Sequence, residues 1–286
     1  MASNHPRPTK AERREAARAM AQKMRAEQAR KERRKTITRR ALLAGGAVGA
    51  LGVVGVGVGV GTGLISLGNK KKENEKENEG RADRLPSPMA TPVAGMPAPV
   101  NADGSWTYVK GAVIGQGSPE IPLLEIYFDY SCGHCAKFDV LHADEINTLL
   151  AEGAITLVLH PCKILGQPWT DMVMNAMGLV LDQAPDSALD FHESVMTLRA
   201  TAKSALTTKD LMAAAEGVGV STSVTGLFQE TIDAGTYSTW VETSTRAFQD
   251  ENLLGTPTIM LDGQVLDLAT LATADALTRV VKGDNN

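Results

Sequence analysis

Residues 128–138 read FDYSCGHCAKF, with Cys132 and Cys135 enclosing Gly133 and His134. The stretch before them, IPLLEIYFDY (121–130), is a mostly apolar run of the kind expected for a buried strand. After them CAKFDVLHADEINTLLAEG (135–153) has helical spacing, and AITLVLH (154–160) reads as a second strand. Strand, helix and strand at this spacing predict a βαβ unit, with Cys132 at the turn from strand to helix.

That placement matters because the chemistry of a cysteine pair depends on its surroundings. Redox exchange needs a thiolate, a second thiol close enough to resolve a mixed disulfide, and positive potential that favours ionisation of the first. A C-x-x-C at a helix start supplies all three: Cys132 lies at the positive end of the dipole, Cys135 one turn on, and His134 adds charge when protonated. A zinc site needs four ligands, and the chain has three cysteines and no second C-x-x-C, so Cys162 with His142 or His160 would have to complete the set. A purely structural disulfide is weak on other grounds, because a two-residue loop constrains the unfolded chain very little. Redox exchange is the reading these residues favour, and it needs neither a cofactor nor a metal.

Further along, helical patterning covers 168–183, 185–200, 207–217, 221–233 and 237–253. Strand signals return at TPTIMLDGQVLDL (256–268), where Asp262-Gly263 makes a good hairpin turn, and 269–283 closes as a helix.

The N-terminal third has a different character. Residues 1–40 carry 14 Lys and Arg against 4 Asp and Glu, so the formal net charge of −4 hides a basic tail and an acidic body. The tail contains no aromatic residue to stack on bases and no recognisable motif, which argues against nucleic-acid binding and leaves attraction to anionic lipid. From 41 to 68 no residue is charged, a length beyond the ~20 residues that cross a bilayer core as a helix. Its ten glycines and repeated Val-Gly would also suit a strand, but a lone strand in lipid leaves its backbone polar groups unpaired. A single transmembrane helix is expected, with the basic tail cytoplasmic and the body extracytoplasmic. Thr38–Gly46 (TRRALLAGG) resembles a twin-arginine export signal, and since 66–72 offer no A-x-A-like cleavage site, an uncleaved anchor is expected. Residues 69–104 turn charged and then proline-rich, which predicts a linker that buries no core. The body, 105–286, is long enough for one domain.

The order β, α, β, helical block, hairpin, α, together with FDYSCGHCAKF and GTPTIML (255–261), resembles the DsbA-like branch of the thioredoxin superfamily. The resemblance covers roughly residues 105–283 and implies an α/β thioredoxin fold with a helical insertion at about 165–253. It implies a protein thiol-disulfide oxidoreductase in which Cys132 attacks and bonds the client while Cys135 resolves. A cis peptide bond at Pro257 would face the pair, and Thr256 would present backbone to the substrate. Gly133-His134 departs from the Pro-His of the best-known DsbA and is similar to the dipeptide of protein disulfide isomerase, which leaves a reductase or isomerase as the rival function. A non-catalytic binding module using the pair as a clip is a third reading. Many relatives carry a buried acid six residues before the first cysteine, but Ile126 stands there. Glu125 is one step early, on the opposite face of a strand, so Asp129 is the remaining candidate relay unless it only begins the turn.

The expected partners are reduced or unfolded exported proteins and a membrane redox protein that recycles the pair. Cys162 reads as a small buried residue and His160 and His192 as structural. Trp169, Trp240, Met172, Met174 and Met177 fit a helical core.

Overall fold

The computed structural model describes residues 78–284. The basic tail, the apolar span at 41–68 and the first part of the expected linker lie outside the described residues. Among the described residues, no helix is long and apolar enough to cross a membrane.

Six strands form one sheet in the order β2-β1-β4-β3-β5-β6. They are β1 (Trp106–Val109), β2 (Val113–Ile114), β3 (Leu123–Phe128), β4 (Thr156–Pro161), β5 (Thr258–Leu261) and β6 (Gln264–Val265). Only β3 and β4 run parallel, joined through α1 (Gly133–Glu152) as the predicted βαβ unit. Both are buried at every residue, which is why they read as continuous apolar runs rather than alternating ones. The insertion consists of α2 (Pro168–Gln183), α3 (Ala188–Thr201), α4 (Thr208–Gly217), α5 (Thr222–Thr225), α6 (Phe228–Ala234) and α7 (Ser238–Asp250), and α8 (Ala276–Lys282) ends the fold.

Side chains alternate across β3 and divide the core in two. Leu124, Ile126 and Phe128 join the larger cluster with α1 and the insertion, which includes Trp240, Met174 and Met177. On the other face, Tyr127 packs with Cys162, Phe248 and Met260. Within the insertion, Asn175 Oδ1 accepts from the Tyr237 backbone N–H at 2.8 Å, and the Tyr237 hydroxyl donates to Asp182 at 2.6 Å. The ring is thereby held at both ends against Gly178, where an added Cβ would stand 2.5 Å from it. Gly178→Ala is expected to destabilise the domain by about 1–3 kcal/mol through overpacking, read as a lower denaturant midpoint.

Three expectations are corrected. The antiparallel pair β1 and β2 precedes the strand expected to open the fold; β1 supplies Trp106 and Tyr108 to the core, but four residues are too few to establish a period. The final helix was expected from 269 and begins only at Ala276. Asp267 explains the delay, because its carboxylate accepts from the Ala269 N–H at 2.9 Å and its carbonyl from the Thr270 hydroxyl at 2.6 Å, bonds that compete with a helix.

The third correction concerns the linker, whose part after residue 78 lies on the domain. Val100 and Asn101 are buried, and Met89 and Met96 pack against the main cluster. The Gly95 carbonyl accepts from the Trp240 backbone at 3.0 Å, and the Gly104 carbonyl accepts from the Trp240 indole at 2.7 Å. A helical turn over 78–84 brings Arg81 to Asp262 (2.5 and 2.7 Å) and Arg84 to Glu125 (2.9 and 3.0 Å). A segment too polar to build its own core is thus held by acids and apolar pockets that the body provides.

Candidate active site

The turn between β3 and α1 is organised by Asp129, which is fully buried. Its carboxylate accepts from the Ser131 N–H at 2.8 Å, from the Leu165 N–H at 2.9 Å and from the Thr170 hydroxyl. With the Thr170 proton committed to Asp129, the Ser131 hydroxyl donates to Thr170 Oγ1 at 2.7 Å. The Asp129 carbonyl accepts from the Cys132 N–H at 2.9 Å, which fixes where the next residue enters the helix. Asp129 therefore braces the turn, and its carboxylate is already engaged by three donors.

Cys132 is the N-cap of α1, where Ser, Thr, Asp or Asn usually stands. Its sulfur takes their role, accepting from the Cys135 backbone N–H at 3.2 Å. A thiolate is the better acceptor there, with the helix dipole added. The Cys132 thiol is held at about 5, because the Cys135 thiol hydrogen-bonds to it and the Cys135 and His134 backbone amides help, together outweighing the opposing effect of burial. Cys135, 2% exposed against 6% for Cys132, is pushed far upward by burial and by the hydrogen bond its thiol donates to Cys132. Two thiols one turn apart are thus driven in opposite directions, the condition for one attacking and one waiting sulfur.

The Thr256–Pro257 peptide bond is cis, and the Thr256 carbonyl stands 3.5 Å from Cys132 Sγ, accepting from it. The loop before β5 therefore meets the pair, as the resemblance implies. Gly133 opens α1, and His134 in its first turn is exposed. The other sulfur and imidazoles do not converge on the pair. Cys162 Sγ donates to the Phe128 carbonyl at 3.3 Å, and burial raises its pKa. His142 bridges Glu145 and the Leu271 carbonyl, while His160 stacks on Tyr127 at 4.1 Å. His192 lies between Tyr130 and Asp139, both at 3.1 Å. Among the described residues, no three His, Cys, Asp or Glu side chains could share a metal ion.

Glu125 points to the face away from Ile126 and pairs with Arg84, as its place in the strand requires. Sequence reasoning missed Thr170 and Arg199, which the insertion delivers to the Ser131 hydroxyl and carbonyl. Neither has a sequence signal, since both lie in ordinary helical patterns far along the chain.

In the reduced protein, alkylation of Cys132 by iodoacetamide is expected to rise with pH about a midpoint near 5 and to be level by neutrality, while Cys135 and Cys162 stay unreactive. A midpoint near the ~8.5 of an ordinary thiol would contradict this.

A family model described as Thioredoxin matches residues 110–282. Among solved structures, the chain is similar to the MdbA protein, a thiol-disulfide oxidoreductase from Actinomyces oris, at 43% identity and a TM-score of 0.63, over 70% of this chain and 100% of that one. BdbD from Bacillus subtilis follows at 20% identity and a TM-score of 0.53, over 67% of this chain and 97% of that one. The MdbA protein from Corynebacterium diphtheriae is 14% identical with a TM-score of 0.51, over 63% of this chain and 89% of that one. At these two lower identities the likeness speaks for the fold alone. No curated protein matches the chain. The family match across the βαβ unit and insertion, joined to the likeness to the Actinomyces protein over its full length, places the chain among the DsbA-like thiol-disulfide oxidoreductases of the thioredoxin family.

Proposed function

We propose that the protein donates disulfides to exported proteins through Cys132 and Cys135. The observation that carries this reading is the placement of the two sulfurs: Cys132 caps α1 and accepts from the Cys135 backbone N–H, while Cys135 is buried one turn in, so the first is driven toward thiolate and the second kept protonated. A reduced client's thiolate attacks Cys132 of the oxidised pair, and Cys135 leaves with the electron pair and takes up a proton. The client's second thiolate then attacks its own sulfur in the mixed disulfide and expels Cys132. The client loses two electrons and the pair gains them. A low-pKa sulfur is the better leaving group in the second step, which favours donation over acceptance. Thr256 and Pro257, beside Cys132, present backbone to the client, while Gly133 and His134 form the rest of the helix cap.

In this reading residues 41–68 anchor the chain, with its N-terminus cytoplasmic and the domain outside, where disulfides persist. A membrane redox protein reoxidises the pair. The test is oxidative refolding of reduced, unfolded ribonuclease by a stoichiometric amount of the oxidised protein. Recovery of ribonuclease activity with loss of the Cys132–Cys135 disulfide supports donation, and an inert pair returns the domain to a binding role.

A further inference from the structure

Every polar group of Ser131, the residue before Cys132, is held. Asp129 takes its N–H, Thr170 its hydroxyl, and Arg199 Nε donates to its carbonyl at 2.9 Å. Arg199 lies in the last turn of α3, where a cation would ordinarily serve that helix's own carbonyls. Instead it crosses to the start of α1, and a Cβ built on Gly133 would stand 3.8 Å from its guanidinium. Gly133 is the first residue of α1, so a positive side chain rests at the positive end of a helix dipole. That placement is unfavourable in itself and becomes favourable when an anion shares the site. The acid nearest the turn, Asp129, already has three donors. The other titratable groups at the turn are Tyr130, His134, Cys135, Cys162 and Cys132, and burial keeps Tyr130, Cys135 and Cys162 protonated. Cys132 is the sulfur left to carry the charge.

We infer that Arg199 is a positioning residue of the redox site: it fixes the Ser131 carbonyl and places its guanidinium so that the Cys132 thiolate is stabilised when the pair is reduced. The helical insertion thus acts on the exchange chemistry as well as filling volume. An opposite charge stabilises the reduced form, which makes the oxidised pair a stronger donor. The inference rests on the reading of Cys132 as the exchanging sulfur.

The test uses Arg199→Gln, which keeps an amide donor for Ser131 and removes the charge, and Arg199→Lys, which keeps the charge and loses the planar fork. Thiolate ultraviolet absorbance of the reduced protein gives the Cys132 midpoint, and equilibration with glutathione gives the exchange constant. Arg199→Gln is expected to raise the midpoint by about one unit and to make the pair about tenfold less oxidising. Arg199→Lys is expected to stay near wild type in both. A folded Arg199→Gln with unchanged midpoint and exchange constant overturns the inference. Should that variant not fold, Arg199→Met, which keeps an unbranched stem and loses the charge, decides: a midpoint raised by about a unit supports the role of charge, and one like wild type refutes it. A merely structural role would lower thermal stability without moving either quantity. Because the midpoint is read without a client, a wild-type protein inactive on ribonuclease would sink the proposed function while leaving this test intact.

Discussion

Cys132→Ala is expected to abolish disulfide exchange, whereas Cys135→Ala is expected to accumulate mixed disulfides with exported proteins. Exchange runs by thiolate attack on a disulfide sulfur, so a client stays on the first sulfur until another thiol displaces it. Cys132 is that sulfur because it caps α1, accepts from the Cys135 backbone and ionises at about 5. Cys135, kept protonated by burial, is the leaving group when the pair donates and the thiol that frees a client when exchange runs in reverse, so without it a client held on Cys132 has lost that route of release. Cys162, buried and bonded to the Phe128 carbonyl, does not substitute for it. The trapped species should therefore persist equally in a Cys135→Ala, Cys162→Ala double variant. Non-reducing gels of cells carrying each variant check the assignment, and client adducts on Cys132→Ala instead would reverse the two roles.

The second large effect is structural and lies in the segment expected to be a linker. Arg84→Ala is expected to cost about 3 kcal/mol at neutral pH, since removing one partner of a buried pair leaves an uncompensated charge. Glu125 is 2% exposed, and besides the two Arg84 bonds it has His160 at 3.6 Å. Burial alone would raise the Glu125 carboxyl, yet His160 and Arg84 together hold it below its usual value. A carboxyl depressed in the folded state contributes stability above its unfolded pKa of about 4.3 and loses it as pH falls. Without Arg84 the carboxyl shifts the other way and protonation relieves it. The difference between wild type and variant should accordingly shrink between pH 7 and pH 4. Denaturant midpoints at both values test this, and a neutral-pH loss below about 0.5 kcal/mol, the range of ordinary surface changes, would contradict it.

How far the fold was legible follows from the same residues. The βαβ unit stood out because β3 and β4 are long apolar runs and α1 is a full helix ended by Gly153 in a left-handed cap. The hairpin was legible in Asp262-Gly263, which take positive φ at the turn between β5 and β6. What escaped depends on partners distant in sequence. Residues 78–104 carry too few apolar groups to announce a packed segment, and only the positions of Glu125, Asp262 and Trp240 in the folded body make them part of it. The helix read at 221–233 is broken at Gly226 and Leu227 into α5 and α6, a break that apolar spacing alone does not reveal.

The candidate site divides in the same way. Cys132, Cys135 and Pro257 were visible as a motif and a Thr-Pro, and the structure brings the three together across β3 and β5. Glu125 was set aside from strand alternation alone, and it does lie on the face opposite Ile126. Thr170 and Arg199 were invisible because each meets Ser131 only through the packing of the insertion against the turn.

An ionised Cys132 against a protonated Cys135 is what should make this pair a disulfide donor. The reduction potential of the domain, read by equilibration with glutathione, decides whether it does. Stabilisation of the reduced form by a thiolate that titrates at about 5 predicts an oxidising potential, nearer the roughly −120 mV of the donor DsbA than the roughly −180 mV of protein disulfide isomerase. A potential near the roughly −270 mV of thioredoxin would instead mark the protein as a reductase.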